Sequence, residues 1–347
     1  MTLRFSDGFL PQGVDRDVPA TAAILAECQR QYRDARETLT AAQPAAATIA
    51  ASIRERRRVL LLGMGASHYA NQIAAARLRL LGVDAVAQPA SEALYAPLPG
   101  AWPTILTSQS GGSAEIVRWL EADDRNVIGA VTLNDESGFD RHGPVIVGSG
   151  GAEHAFAATR SFTVTLAAFA AILVELGAGV MDRLPETEPP IDTGYANAVQ
   201  AFAGVDSIVV SGRASFDGMA GMTALGLCEL ARLPCAAFEG GQFRHGVVEM
   251  LNRNTGVVLF RSTGASANKW QAIVDICRRA ESRTLVFDAS GLPPLSGAMT
   301  IRFSPGDGIA ALLGIAPTQQ AFVLGIAAAR VASVGAPAYS SKVTDSE

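Results

Sequence analysis

A cluster of hydroxyl, amide and glycine residues follows an apolar run near residue 104. The segment Thr104–Thr107 leads into Ser108-Gln109-Ser110-Gly111-Gly112-Ser113, and a helical pattern begins at Ala114. Backbone N–H groups and hydroxyls at the start of a helix are donors that bind anions, so this segment could hold a phosphate. It lacks the lysine of a nucleotide P-loop, and its glycines do not fit the dinucleotide fingerprint, which favours a phosphorylated small molecule. From these residues alone, a Ser/Gly-rich turn that caps an ordinary helix is an equally good interpretation.

Composition limits the classes of partner. The chain has 347 residues, 49% hydrophobic and 18% charged, which predicts a large core and two domains. A formal net charge of -5 argues against nucleic-acid binding, which needs a concentrated basic surface. The four cysteines show neither CxxC spacing nor adjacent histidines, which argues against a zinc site and a disulfide framework. We expect reduced thiols, no metal and no cofactor.

Neither the first residues nor the most apolar window has the pattern of a targeting or membrane segment. The first residues include Arg4, Asp7 and Pro11 and do not form a signal-peptide pattern, so a cytoplasmic location is predicted. The most apolar window, residues 162–180, is interrupted by Glu175 and is typical of a buried helix rather than a membrane span. We therefore expect no membrane partner.

The elements that must position the hydroxyl cluster alternate between strands and helices. Two helices are predicted over residues 20–39 and 44–57, and apolar strands at 58–62, 84–88, 104–107, 127–133 and 145–147. This alternation predicts a parallel sheet covered by helices on both faces. Ligands of such sheets bind beyond the carboxyl ends of the strands, where both Gly63–Ser67 and Ser108–Ser113 lie. That convergence favours the phosphate interpretation.

The second half of the chain repeats the first. Residues 61–67 (LLGMGAS) recur at 209–215 as VVSGRAS, and further strands are predicted at 257–260, 284–287 and 299–303. The counterpart of Ser108–Gly111 is the loop Arg261–Gly264, which has lost the Ser-Gln-Ser run, so one phosphate site per chain is expected. The predicted fold class is α/β, with two tandem doubly wound parallel-sheet subdomains, each of three αβα layers, and N-terminal helices.

These patterns also predict domain boundaries. We expect an N-terminal helical segment over residues 1–50, a first subdomain with the phosphate-binding loop over 51–190, a second subdomain over 191–337 and a C-terminal tail over 338–347.

Few titratable groups are placed to do chemistry on such a ligand. Glu229 lies on a helix that is nearly apolar all round, so its carboxylate is either paired or functional, and Arg232 is the competing partner. The loop Glu239–Gly246 carries an acid, an amide, a cation and His245. His68 and His154 are weaker candidates, because a lone histidine beside a loop is usually only exposed.

Four motifs, in their order along the chain, resemble those of the sugar isomerase (SIS) family. They are residues 63–67, residues 108–113, Glu153 with residues 159–163, and Glu229 ahead of residues 241–246. More narrowly, the chain looks like the isomerase half of glucosamine-6-phosphate synthase and its free-standing relatives, the amino-sugar-phosphate deaminases, isomerases and deglycases. The likeness runs from about residue 20 to the C-terminus.

The resemblance implies a role for each matched residue. Glu229 would move a proton between C1 and C2 of a hexose 6-phosphate, His245 would help open the sugar ring, and Lys342 would meet the open-chain carbonyl. In the family the histidine is often contributed across a dimer interface, so a homodimer is implied. On its residues alone, Lys342 is a solvated charge in the tail. The remaining implied residues are the phosphate ligands Ser67, Ser108, Gln109, Ser110 and Ser113, and the substrate-site loop residues Gly65, Gly111, Glu153 and Arg244.

The chemistry is consistent with these residue types. Proton transfer through an enediol needs one base that takes the proton and returns it, a role for a positioned carboxylate. A remote phosphate fixes the reacting carbons against that base. No metal is required.

The sequence departs from the synthase at several positions. Gly112, Ala66, Ala158 and Arg244 replace an acid, a threonine, a serine and a lysine, so the sugar contacts are expected to differ from those for fructose 6-phosphate. Met1 leads directly into the resembling region, so glutamine-dependent transfer is not expected. Two function classes stay open: an aldose–ketose isomerase or amino-sugar-phosphate deaminase or deglycase, and a non-catalytic sugar-phosphate sensor. The enzyme is favoured because a sensor has no need of Glu229, His245 and Lys342 together.

Overall fold

The computed structural model describes residues 3–122 and 125–342, and it contains two five-stranded parallel sheets. The chain divides into two compact units. The second-sheet unit comprises Met1–Gln29 and Pro185–Ala336, and the first-sheet unit comprises Arg30–Leu184 and Pro337–Glu347. The predicted α/β fold class is confirmed, while the predicted domain boundaries at residues 50, 190 and 337 stay predictions.

The first sheet has the strand order β2-β1-β3-β4-β5, and every neighbouring pair is parallel. Its elements follow each other in the alternation that the sequence predicts. In chain order they are α1 (Pro19–Ala41, whose first residues belong to the second-sheet unit), α2 (Gln43–Arg56), β1 (Arg58–Gly63), α3 (Gly65–Leu80), β2 (Asp84–Pro89), α4 (Ala90–Tyr95), β3 (Thr104–Thr107), α5 (Ala114–Leu120), β4 (Val127–Thr132), β5 (Val145–Val147) and α6 (Arg160–Glu175).

Both faces of the first sheet are covered. Leu60 and Leu62 of β1 pack with residues of α4 and α5, including Trp119, in one core cluster. Helices α2, α3 and α6 pack on one another or on strands of the same sheet. Because both faces are covered, the strands are apolar throughout rather than alternating. Helix α6 is buried along nearly its whole length, as its apolar sequence predicts.

The second sheet has the order β10-β9-β8-β6-β7, which is the strand order of the first sheet with each strand replaced by its counterpart. Its elements are α7 (Gly194–Phe202), β6 (Ser207–Gly212), α8 (Ser215–Ala231), β7 (Cys235–Glu239), α9 (Gly240–Phe243), β8 (Thr255–Ser262), α10 (Gln271–Arg279), β9 (Arg283–Ala289), β10 (Met299–Arg302) and α11 (Ile309–Ala328).

One expectation for this unit was wrong. Arg261 and Ser262, expected in a loop, are the last residues of β8, because that strand has eight residues where β3 has four. Their side chains therefore belong to the strand rather than to a turn beyond it.

The longest apolar helix of the second-sheet unit is α11. Among the described residues it is long and apolar enough to cross a membrane, and 89% of that apolar stretch is buried inside the protein. A core helix passes the same test of length and composition.

Candidate functional site

The hydroxyl cluster after β3 folds into a closed loop. Ser108 is buried, its Oγ lies 3.2 Å from Ser113 Oγ, and it accepts a hydrogen bond from the Gly111 backbone N–H at 3.1 Å. Ser110 Oγ accepts from the Gly112 N–H at 3.1 Å. The structure thus brings the first and last hydroxyls of the motif together at the end of the strand.

The segment that follows the neighbouring strand β4 holds this loop in place. Asn134 Nδ2 donates to the Ser110 carbonyl at 2.8 Å, and the Leu133 N–H donates to the Gln109 carbonyl at 3.1 Å. Both backbone carbonyls are thereby occupied, while the side chains of Ser110 and Gln109 stay partly exposed.

Gly111 is required at the turn of the loop. Its φ is +73°, in the left-handed region, and a Cβ there would lie 2.9 Å from Ser137 Cα and closer still to Ser137 Cβ. Any larger residue would push the loop away from Ser137.

Ser67 lies at the same edge of the sheet. Gly63 of β1 is paired with Thr107 of β3, and a Cβ on Gly63 would meet both the Thr107 carbonyl at 2.9 Å and Ser67 Cβ at 3.1 Å. Gly65 begins α3 with a φ of +50°. Ser67 therefore lies beside the residue that precedes Ser108, which places two of the predicted phosphate ligands at neighbouring strand ends.

A buried amide that was not singled out from the sequence lies beneath these ligands. Asn71 of α3 is 0% exposed, and its Oδ1 accepts from Thr107 Oγ1 at 2.7 Å. Within the described part of the chain, its Nδ2 has no hydrogen-bond partner. The available signal was an amide one helical turn after Ser67 on α3.

His68 follows Ser67 and is largely buried. Its Nε2 lies 3.1 Å from Gln72 Nε2, and burial lowers the pKa of the imidazole. A neutral His68 is therefore favoured near pH 7.

The Glu153 side chain holds the N-terminal end of α6. Its buried carboxylate accepts from the Thr159 N–H at 2.9 Å, Thr159 Oγ1 at 2.7 Å and the Arg160 N–H at 2.9 Å. The N–H of Ser161, at 3.4 Å, and the Ser161 hydroxyl also donate to it. These donors include backbone N–H groups at the start of the helix, which have no intrahelical acceptor.

Lys342 of the C-terminal tail reaches the same carboxylate. Its Nζ lies 3.6 Å from Glu153 Oε2 and donates to the Phe156 carbonyl at 3.3 Å. The Lys342 side chain is 25% exposed. The structure therefore brings two of the predicted site residues together.

A buried ion pair holds the segment between β5 and Glu153. Arg160 Nη1 lies 3.4 Å from Asp34 Oδ2, and both side chains are fully buried. The Arg160 guanidinium also donates to the carbonyls of Ser149 at 2.9 Å and Gly151 at 2.7 Å. The segment between β5 and Glu153 is thus fixed from α6, a role that sequence analysis did not assign to Arg160.

These features share one edge of the first sheet. The loops after β1, β3, β4 and β5 all leave the carboxyl ends of parallel strands, and the Gly148 N–H that follows β5 donates to the Thr132 carbonyl at the end of β4 at 2.7 Å. Open parallel sheets bind ligands at this edge.

The other predicted catalytic residues belong to the second-sheet unit. Glu229 lies near the end of α8 and is partly exposed. Arg232, its competing partner, ends α8 with a φ of +50° and donates to the Ala336 carbonyl at 3.1 Å. His245 and Arg244 are exposed and follow α9.

The loop that carries His245 is shaped by Glu239. The Glu239 carboxylate accepts from the N–H groups of Gly241 at 2.6 Å and Gln242 at 3.0 Å, and it lies 3.8 Å from Arg213 Nε. Burial, and then the charge of Glu239, raise the pKa of the Asp217 carboxyl to about 6. Asp217 was not singled out from the sequence, although an acid in the first turn of a nearly apolar helix was a signal.

The end of β8 is occupied by an ion pair. Arg261 Nη1 lies 3.0 Å from Asp288 Oδ2 with both side chains buried, and Arg261 Nε donates to the Ala267 carbonyl at 2.9 Å. Ser108 lies at the equivalent position of the first sheet, directly after β3. A single phosphate loop per chain stays a prediction.

No arrangement typical of a metal site is present in residues 3–122 and 125–342. There, no group of three or more His, Cys, Asp or Glu side chains could hold a metal ion.

The architecture can be compared with solved structures. The C-terminal domain of glucosamine-fructose-6-phosphate aminotransferase from Francisella tularensis matches with a TM-score of 0.77 at 16% identity, covering 89% of this chain and 96% of that one. Tagatose-6-phosphate ketose/aldose isomerase from Escherichia coli matches with a TM-score of 0.72 at 20% identity, covering 92% and 95%. The chain has the sugar isomerase fold. Glucosamine-6-phosphate deaminase from Thermotoga maritima shares the sugar isomerase fold with a TM-score of 0.65 at 18% identity, covering 89% and 99%.

Sequence comparison adds one curated relative. Glutamine–fructose-6-phosphate aminotransferase (isomerizing) from Gluconobacter oxydans is 24% identical in an alignment of 266 positions that covers 69% of this chain and 43% of the relative. The chain thus matches less than half the length of that protein. No protein-family model matches the chain. The resemblance to the sugar isomerases is confirmed, and at these identities it establishes the fold.

Proposed function

We propose that this chain binds a hexose 6-phosphate derivative and transfers a proton between its C1 and C2, as a phosphosugar isomerase or an amino-sugar-phosphate deaminase or deglycase. The observation that carries the proposal is the loop after β3, where the Ser108 and Ser113 hydroxyls lie 3.2 Å apart around a left-handed Gly111. The solved structures that share the fold include proteins named as a ketose/aldose isomerase and a deaminase of sugar phosphates, which supports this class.

The loop supplies neutral donors to the phosphate. Ser108 and Ser113 donate or accept between themselves in the free protein, and each hydroxyl can turn its proton toward a phosphate oxygen when the ligand binds. Hydrogen bonds to an ionised acceptor are stronger than those between neutral groups, so this exchange favours binding. The full proposed set of phosphate ligands is Ser67, Ser108, Gln109, Ser110 and Ser113.

Proton transfer is assigned to the second-sheet unit. Glu229 removes the proton from one of the two carbons, giving an enediol or enediolamine, and returns it to the other carbon. His245 moves the proton that opens the sugar ring. A bound phosphate restricts the positions that the reacting carbons can take, which raises the rate of proton transfer.

Lys342 is assigned to the open-chain carbonyl. Its ammonium donates a hydrogen bond to the carbonyl oxygen and stabilises the negative charge that develops there. Glu153, 3.6 Å from Nζ, orients the ammonium. The proposed reaction uses no cofactor, and the proposed assembly is a homodimer in which His245 reaches the partner's site.

Titration calorimetry tests the phosphate site. Glucose, fructose and glucosamine 6-phosphates are titrated into the protein beside the same sugars without phosphate. We expect binding only of phosphorylated compounds, and we expect Ser113→Ala to weaken it roughly tenfold or more through loss of a hydrogen bond to a charged group.

Ser262→Ala is the matched control. Its hydroxyl lies near the corresponding strand end of the second sheet and donates to the Thr263 carbonyl at 3.2 Å. The affinity of the Ser262→Ala variant for sugar phosphates should equal that of the unmodified protein. Equal weakening in both variants, or equal affinity for sugars with and without phosphate, would contradict the proposed site.

A further inference from the structure

Two cysteines of the second-sheet unit lie close together, and one of them, Cys228, directly precedes Glu229 in the sequence. Cys228 is exposed near the end of α8, and Cys235 is the partly buried first residue of β7. The chain reverses between them through Arg232, whose φ is +50°. Cys228 Sγ lies 3.6 Å from the Cys235 carbonyl oxygen, which places the Cys228 sulfur against Cys235.

The other two cysteines differ in their surroundings. Cys28 and Cys277 are buried. Burial raises the pKa of the Cys277 thiol to about 11, which keeps it protonated and unreactive. Within the chain they are natural controls for Cys228 and Cys235.

The two thiols differ in pKa. The hydrogen bond from Cys235 lowers the pKa of the Cys228 thiol to about 6, although burial opposes this. The same hydrogen bond and burial raise the pKa of Cys235. Cys228 is therefore the thiolate and Cys235 the proton donor at neutral pH, and it is the thiolate that attacks disulfides.

We propose that Cys228 and Cys235 form a dithiol site that reacts with low-molecular-weight disulfides, such as oxidised glutathione, and closes into an intramolecular disulfide. The 3.6 Å contact of Cys228 Sγ with Cys235 and the exposure of Cys228 carry this inference. The thiol reaction does not require the proposed sugar chemistry, although Cys228 is adjacent to Glu229 on α8.

The reaction balances in two exchange steps. The Cys228 thiolate attacks one sulfur of the disulfide, forming a mixed disulfide and releasing the other half as a thiolate, which takes up a proton. Cys235 then loses its proton to solvent and attacks Cys228 Sγ, releasing the second half as a thiol. The two protein thiols are oxidised, and one disulfide is reduced to two thiols. Because the hydrogen bond to the Cys228 thiolate is gone after the first step, Cys235 ionises more easily for the second.

Trypsin separates the two cysteines, which gives a direct assay. Cleavage after Arg213, Arg232 and Arg244 places Cys228 in residues 214–232 and Cys235 in residues 233–244. The full chain is incubated with oxidised glutathione, free thiols are alkylated, and the digest is analysed by mass spectrometry without reduction. We expect the two peptides joined by one disulfide, with Cys28 and Cys277 not oxidised by glutathione.

Single substitutions separate the two steps. Cys235→Ser should stop the reaction at a stable glutathione adduct on Cys228, and Cys228→Ser should reduce the rate of oxidation at Cys235 at least about tenfold, because the thiolate is lost. Cys277→Ser should react as the unmodified chain does. The proposal is overturned if the unmodified chain keeps a persistent glutathione adduct, stays reduced, or joins Cys28 or Cys277 to either peptide.

Discussion

Lys342 Nζ lies 3.6 Å from the Glu153 carboxylate, which is itself buried at the start of α6. Glu153 accepts hydrogen bonds from Thr159, Arg160 and Ser161, so its position is fixed without the lysine. The lysine, by contrast, lies in a tail and also contacts the Phe156 carbonyl. The carboxylate is therefore the fixed partner and the ammonium the one that depends on it.

This asymmetry predicts that removing Glu153 and removing Lys342 lower the free energy of unfolding by different amounts. Glu153→Gln leaves backbone N–H groups of α6 with a weaker, neutral acceptor, so the free energy of unfolding should fall by about 1–3 kcal/mol. Lys342→Met should change it by less than about 1 kcal/mol, because the side chain is partly exposed. Urea denaturation followed by circular dichroism measures both.

Glu55→Gln is the control for the loss of a carboxylate, since Glu55 is exposed in the last turn of α2. Its unfolding curve should match that of the unmodified protein. A loss of stability in Lys342→Met as large as that in Glu153→Gln would show that the tail, rather than the helix start, depends on this carboxylate.

Gly111 and Gly138 allow steric and backbone effects to be separated. They have φ values of +73° and +72°, but a Cβ on Gly111 would collide with Ser137 while one on Gly138 meets nothing within 4 Å. Gly138→Ala should therefore cost only about 1–2 kcal/mol of left-handed strain and leave phosphate binding intact. Gly111→Ala should cost more and weaken sugar-phosphate binding roughly tenfold or more, because the loop must move.

Thermal unfolding and calorimetric titration of the two variants, side by side, test this prediction. Similar affinities in the two alanine variants would mean that the position of the loop does not govern binding.

Asp217 predicts a pH dependence of stability. Burial and the charge of Glu239 raise the pKa of its carboxyl from 3.8 to about 6, so the folded state binds the proton more tightly than the unfolded state. The stability linked to this group is full below about pH 4 and is lost as the pH rises through about 6. Asp217→Asn cannot ionise, and its stability relative to the unmodified protein should therefore rise with pH.

We expect that relative gain to reach the order of 1–2 kcal/mol above pH 7, reduced from the full shift because the carboxyl is partly exposed. Urea titrations at several pH values between about 4 and 8 measure it. A difference between the two proteins that is constant over this range would contradict the assigned pKa.

Much of the fold followed from local pattern. The apolar runs at 104–107 and 145–147 are strands with those bounds, and the alternation of elements predicted a parallel sheet. The C-terminal end of β8 was not predicted because Arg261 and Ser262 are polar. Pattern reasoning ends a strand at polar residues, whereas the partner Asp288 that allows Arg261 to be buried comes from a distant part of the chain.

The site was predictable where its residues are consecutive. Ser108–Ser113 could be identified as one loop, because its donors are neighbours in sequence. The contacts of Lys342 with Glu153, of Arg160 with Asp34 and of Asn71 with Thr107 join distant segments, and no local pattern specifies such pairs. The roles of Glu229, His245 and Lys342 stay predictions.

The measurement that tests the central claim most directly is proton NMR in heavy water with a panel of hexose 6-phosphates, 2-amino-sugar phosphates and fructosamine phosphates. Glu229→Gln is compared with the unmodified chain and with Glu249→Gln, an exposed carboxylate of the same unit. We predict that deuterium enters C1 or C2 of at least one compound, that the rate is unchanged in Glu249→Gln, and that it falls roughly a hundredfold or more in Glu229→Gln. Saturable binding of a sugar phosphate with no exchange into any compound would contradict proton-transfer chemistry and indicate a sensor instead.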